Sequence, residues 1–270
     1  DQPRSRGLGD VYKRQGPRRL QSLSPPAGAL LPLALLLVWA LLVDGGWVQH
    51  PLFVPLHQIL AAPFVDEQGR QLWGSAAASL LRLLLGFALG AALGILTGLA
   101  VGLSRPAQRG VAPTLHALRQ VALFAWIPLL TAWFGNGEAA KVVFISISAF
   151  FPIFLNTEQG VRNIPLALRE VTATLRLGPW MRLRRLVWPA ALPSVLIGIE
   201  VGLLTAWIGT VGSEYAIGTG RGIGAFLAAA RDVFRMDLVL IGVFVLAVVG
   251  YGINRLVQAA SHRLLSWKTR

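Results

Sequence analysis

The sequence predicts an all-α, polytopic membrane protein with about six transmembrane helices. Three observations carry that prediction. Of the 270 residues, 54% are hydrophobic and only 14% charged, with a mean hydropathy of +0.60; a soluble domain carries about 25% charged residues. The apolar residues fall in runs near the ~20 needed to span a bilayer. The charge, +13 overall, is gathered between those runs. A basic balance can signal nucleic acid. Positive charge confined between apolar runs instead follows the orientation rule for membrane proteins, with membrane lipid as the neighbour and no nucleic acid. The lack of cysteine excludes disulfides and thiolate metal sites.

Residues 1–26 are polar, rich in Pro and Gly, and without apolar period, which predicts disorder. Within them Gly9 to Gln15 (GDVYKRQ) resembles a translated sequencing adapter; that would leave the first ~15 residues non-native. Residues 27–270 read as one transmembrane domain. Leu30 to Val43 is the first span, retained because no small-residue cleavage site follows it. Asp44 to Gly74 is a mixed loop, with a short interfacial helix over Leu52 to Phe64. Ser75 to Leu103 is the second span, carrying Gly86, Gly90, Gly94, Gly98 and Gly102 on one face for close helix approach. Arg105 to Arg119 reads as a short basic loop. The third span centres on Val121 to Phe134, begins nearer Ala112, and is kinked at Pro128. After a turn over Gly135 to Lys141, Val142 to Asn156 is the fourth span. Leu196 to Ser213 is the fifth. Glu214 to Asp237 is a glycine-containing return with a short helix near Ala225 to Arg235, and Leu238 to Ile253 is the sixth span.

With the N-terminus inside, the inner segments hold 19 Lys and Arg and the outer ones 5. Dropping the first ~15 residues leaves the bias in place and puts both termini in the cytoplasm. Between spans four and five lies the stretch on which the rest depends, Glu170 to Pro193. Arg176, Arg182, Arg184 and Arg185 there accompany a single acid, Glu170. Its first part has helical period, Gly178 and Pro179 turn the chain, and Pro189 and Pro193 stop one helix and start the next.

This stretch resembles the cytoplasmic "EAA" coupling loop of permease subunits of bacterial ABC importers, the binding-protein-dependent kind. Glu170 stands at the Glu position, Val171 and Thr172 at the two alanines, Arg176 at the usual Gly with Gly178 two residues on, and Leu192-Pro193 closes the pattern. The flanks WIPLLTAWFGNGE, AFFPIFLNT and GIGAFLAAARDVFRMD are similar to the nitrate, sulfonate and taurine branch. The resemblance implies a permease in the bacterial inner membrane, a homodimer, two separate ATPase subunits and a periplasmic substrate-binding protein. It implies that Glu170, Val171, Thr172, Arg176, Gly178, Arg182, Pro189 and Pro193 belong to the ATPase-coupling loop, with Glu170 near the start of its docking helix. The cargo would be an aliphatic sulfonate, then taurine or nitrate; a pyrimidine or thiamine-precursor cargo is the alternative.

The residues themselves show no catalytic set. No GxxxxGK[ST] cradle is present, so ATP hydrolysis falls to a partner, and no cofactor or metal is expected. The four histidines are scattered, without HExxH. An ATPase-independent channel or carrier would need ionisable residues in mid-span, and only Arg82 and Glu200 qualify. Such charges are costly and tend to pair or face a cavity; the reading here is that each does so, with pairing to one another as one form, and the alternative is that both sit at span ends. Candidates for the translocation path are Trp126, Asn156, Glu200, Thr205 and Trp207.

Overall fold

The structure is a computed structural model and describes residues 25–47, 52–65 and 67–264. The described residues are helical with no strand. The chain divides into two units, Asp1–Leu56 and His57–Arg270. In the first, helix α1 (Pro25–Asp44) carries exposed leucines along its length. Its Trp39 indole N–H donates to the Val54 carbonyl at 3.2 Å, with Phe53 packed at 5.1 Å. The expected disorder over 1–26 gives way to helix at Pro25 and Pro26, since proline suits a helix's first turn. The rest of that expectation, and the adapter-like piece, lie outside the described residues.

The second unit holds α2 (Leu56–Val65), α3 (Glu67–Leu103), α4 (Arg105–Gly110), α5 (Ala112–Leu118), α6 (Trp126–Phe134), α7 (Glu138–Arg162), α8 (Leu166–Thr174), α9 (Pro179–Arg182), α10 (Trp188–Ile217), α11 (Ile223–Asp232) and α12 (Met236–Leu264). Among the described residues, four stretches are long and apolar enough to cross a membrane: α3, α7, the run Pro179–Ile217, and Met236–Ser261 of α12. A fifth exists only if α5 and Leu123–Phe134 are taken together, and they are bent by 91°. The apolar part of α1, Leu30–Asp44, is shorter than these. Against about six expected spanning helices, four among the described residues meet that length and hydropathy, five with the broken pair, and α1 adds a further apolar helix. The break lies at residues 119–122 and not at Pro128. Pro128 is the third residue of α6, where its missing N–H has no intrahelical partner to lose. The basic loop at 105–119 is likewise mostly helical, as α4 and α5.

The core is built on glycine. The five glycines from Gly86 to Gly102 on α3 each meet a backbone carbonyl of α7 about one turn further along than the last. A Cβ at Gly86 would lie 3.0 Å from the Val142 carbonyl, at Gly94 2.9 Å from Phe150, at Gly98 2.8 Å from Phe154, and at Gly102 3.3 Å from Glu158. Gly90 faces the Ser146 carbonyl closer still. The two helices therefore run parallel in a constant register along this face. A repeat of four residues, longer than 3.6, favours right-handed winding of such a pair. On the other side of α7, Gly198, Gly202 and Gly209 of α10 approach Asn156, Ile153 and Ser148, so α10 runs antiparallel. Helix α7 is thus the centre of the bundle. Its Phe144, Ala149, Ile153 and Phe154 are fully buried.

Pro152 leaves the Ser148 carbonyl without its intrahelical donor. Thr205 of α10 is placed to supply one: its hydroxyl lies 2.9 Å from that oxygen, sharing its single hydrogen with the Gly202 and Val201 carbonyls of its own helix at 3.0 and 3.1 Å.

Candidate functional site

Two places at opposite ends of the bundle concentrate polar chemistry. At the loop end, α7 finishes at Arg162, and the Arg169 guanidinium donates to the carbonyls of Val161 (2.9 Å) and Arg162 (3.1 Å). That satisfies acceptors orphaned at a helix C-terminus. Helix α8 then stands off the bundle with Glu170 exposed and Leu166 70% exposed. Glu170 is the fifth residue of α8, not near its start, because the helix begins directly after Pro165. The macrodipole acts mainly within the first turn, so the expected helix-start role of Glu170 is corrected.

Helix α8 ends in a Schellman turn: the Leu177 N–H donates to the Thr172 carbonyl at 3.3 Å, and Arg176 takes φ 46°. A residue in that left-handed conformation is usually glycine. Arg176 therefore occupies the glycine conformation, while Gly178 has an ordinary φ of −62° and precedes Pro179 at the first position of α9. Pro189 stands in the first turn of α10, the place expected for a helix start, whereas Pro193 lies inside α10 and does not stop it. The run Pro179–Ile217 continues through both. A π turn over Leu183–Val187 absorbs the disturbance, with the Trp188 N–H reaching the Leu183 carbonyl five residues back. Arg182, exposed, lines a small cavity with Arg169, Val161 and Leu186.

At the far end the structure assembles a network that sequence reading missed. The Arg82 guanidinium, 4% exposed, donates to Glu138 at 2.7 and 2.9 Å, to Glu214, and to the Arg221 carbonyl at 2.9 Å. Glu214 is fully buried and accepts from the Ser79 hydroxyl at 2.8 Å and from the Gly224 N–H at 3.0 Å. Ser79 in turn accepts from the Ile223 N–H at 2.9 Å. Lys141, also fully buried, donates to the Thr219 carbonyl and lies 3.6 Å from Glu138. Two cations and two carboxylates thus balance; Arg82, Lys141 and Glu214 are buried and hydrogen-bonded, the condition under which buried charge is tolerated, while the Glu138 side chain is largely exposed.

Arg82 therefore does pair, but with Glu138 and Glu214. The pairing with Glu200 is overturned: Glu200 is half-buried further along α10, beside Trp207, Gly250 and Asn254. Lys141, read as a turn residue, belongs to α7, which starts four residues earlier than expected. The available signal was the Glu138–Lys141 spacing on one helix face and an acid, Glu214, closing an apolar run. Neither names a partner on another helix.

The five path candidates do not converge. Trp126 packs at the α6–α7 contact with Leu130 and Phe144. Asn156 donates to its own helix at the Pro152 carbonyl, 2.9 Å. Thr205 serves the α7–α10 seam. Trp207, 9% exposed, lies against Gly250 of α12. Glu200 and Trp207 line one small cavity.

Residues 90–266 match the family described as binding-protein-dependent transport system inner membrane component. The chain belongs to that family. It is 32% identical over 259 residues to a Bacillus subtilis protein named as a putative aliphatic sulfonates transport permease, SsuC, covering 96% of this chain and 92% of that one. It is 31% identical to the bicarbonate transport system permease protein CmpB of Synechococcus elongatus, over 85% of this chain and 87% of the relative. It is also 31% identical to the taurine transport system permease protein TauC of Escherichia coli, over 80% and 81%. Among solved structures, an inward-facing form of the MetNI methionine ABC transporter shares the fold, with TM-score 0.62 and 22% identity over 76% of this chain and all of that one. The all-α permease fold, its apolar spans and its place among ABC importers of the sulfonate, taurine, nitrate and bicarbonate type follow.

Proposed function

We propose that the chain is the membrane half of an importer that moves a small organosulfonate, delivered by a soluble binding protein and driven by two ATPase subunits that dock on α8. The observation that carries this is mechanical. Helix α8 projects from the bundle with its apolar Leu166 and its acid Glu170 in the open. A four-residue turn over residues 175–178, with Arg176 at φ 46°, then joins it to a helical run of 39 residues, Pro179–Ile217, about 58 Å long at 1.5 Å per residue. A push on α8 reaches the spans across that short turn. Glu170 offers a carboxylate to an arginine on the ATPase, Val171, Thr172 and Gly178 shape the docking segment, and Arg182 lies at its edge. Pro189 and Pro193 stiffen the helix that follows. In this reading the loop end faces the cytoplasm of a bacterial inner membrane, both termini lie there, and two copies enclose the path.

The relatives' names leave the cargo between sulfonate, taurine, nitrate and bicarbonate. Sulfonate is the first reading. A second gains support from Glu200, a half-buried carboxylate midway along α10 with no ion pair among the described residues. Intramembrane charges face a pathway or a partner, and a carboxylate there favours a cargo that also carries an ammonium group, as taurine does. The test is uptake into proteoliposomes holding the permease, its ATPase and its binding protein. ATP-dependent uptake of ethanesulfonate or taurine that Glu170→Ala abolishes is the expected result. Uptake that continues without the ATPase would instead establish a channel or carrier.

A further inference from the structure

The far-end network closes around a segment to which neither the fold nor the family gives a role. After α10 the chain reverses through Gly218 (φ 69°) and Gly220 (φ 76°) and enters α11 at Ile223. A helix start leaves its first N–H groups without intrahelical partners, and Gly222, the cap residue of α11, makes no side-chain cap. Side chains from two other helices fill the gap. Ser79 of α3 accepts from the Ile223 N–H and Glu214 of α10 from the Gly224 N–H. The carbonyls of the return are held as well, Thr219 by Lys141 of α7 and Arg221 by Arg82 of α3. The fit is close: a Cβ on Gly222 would lie 2.6 Å from a Glu214 carboxylate oxygen. Residues 218–221 are exposed on their outer side.

We infer that Glu214, with Ser79, is a positioning residue that locks the 218–222 return and the start of α11 to the far tip of α10, so that the surface met by a soluble partner moves with the helix that begins at the coupling loop. This rests on the permease reading. Glu214 sits one turn from the end of α10. The α3–α7–α10 packing is glycine-tight and leaves no slack between the three. With the lock intact, the return reports the position of α10; without it, the return moves independently of the spans.

The experiment uses the permease assembled with its ATPase and binding protein in nanodiscs. Glu214→Gln keeps volume and an acceptor but removes the charge; Ser79→Ala is the milder variant should the first not assemble. Amide hydrogen exchange at Ile223 and Gly224 is expected to rise about tenfold, as for loss of one buried hydrogen bond, with α7 amides unchanged. The ratio of binding-protein-stimulated to unstimulated ATP hydrolysis is expected to fall at least as steeply in Glu214→Gln as in Ser79→Ala. Faster exchange with an unaltered ratio would reduce the network to a structural cap and overturn the inference, as would unaltered exchange in both variants. A wild-type complex whose hydrolysis ignores the binding protein would instead overturn the permease reading, and the exchange data would still show whether the return is locked.

Discussion

At Arg176 the backbone turns left-handed so that Leu177 can bond back to Thr172. A side chain there costs about 1–2 kcal/mol relative to glycine. Arg176→Gly should therefore stabilise the loop by about 1 kcal/mol, seen as slower limited proteolysis between α8 and α9. Gly178→Ala should change little, since φ at that position is ordinary. Faster cleavage in Arg176→Gly would show that the guanidinium holds the turn through some other contact. A second residue-scale prediction concerns the Ser148 carbonyl, freed by Pro152 and claimed by Thr205. Thr205→Val should destabilise the bundle by about 1 kcal/mol. In a Pro152→Ala background the restored backbone N–H can donate to that carbonyl itself, and the same change should cost far less. Equal losses in the two backgrounds, measured as detergent-induced unfolding, would uncouple the pair.

Among the elements, the α3–α7 contact has the least tolerance. Its glycines put one helix against the carbonyls of the other, where dispersion and close packing hold helices together in the absence of a water-driven force. Gly90→Ala should separate the pair and cost about 1–3 kcal/mol by overpacking, whereas Ala92→Leu on the exposed side of α3 should be tolerated. Thermal aggregation of the purified variants distinguishes the two, and equal behaviour would mean that the register seen here does not carry the stability. The glycine period was legible in the sequence because it repeats along one helix. Its partner was not, because nothing in α3 states that a parallel α7 will present carbonyls at the same interval. The prolines teach the reverse. Pro189 sits in the first turn of α10, where a proline suits a helix start, but Pro193 reads locally as a stop and yet dense packing of Val187, Ala191 and Val195 keeps the helix whole through it, tertiary contacts outweighing a local preference.

For the molecule as a whole, orientation rests on the inner surplus of Lys and Arg. The chain has no cysteine, so single cysteines report sidedness cleanly. Ala167→Cys, exposed on α8, should react with a membrane-impermeant maleimide only after the cells are opened; Asn136→Cys, exposed at the far end, should react in intact spheroplasts. The opposite pattern would invert the molecule and remove α8 from reach of any cytoplasmic ATPase.

Apolar runs and basic connections determined by themselves that this is a helical membrane protein, because hydrophobic length and charge asymmetry are local properties that the bilayer reads directly; the family was legible only through the resemblance of the 170–193 stretch and its flanks. The tertiary structure alone decided that Arg82 answers to Glu138 and Glu214 and not to Glu200, that α5 and α6 break where no proline stands, and that the far-end return is capped from other helices. Those outcomes depend on which distant side chains meet. A buried charge accepts whichever partner the packing of glycine-lined helices brings within hydrogen-bond reach, and spacing along one chain does not encode that meeting.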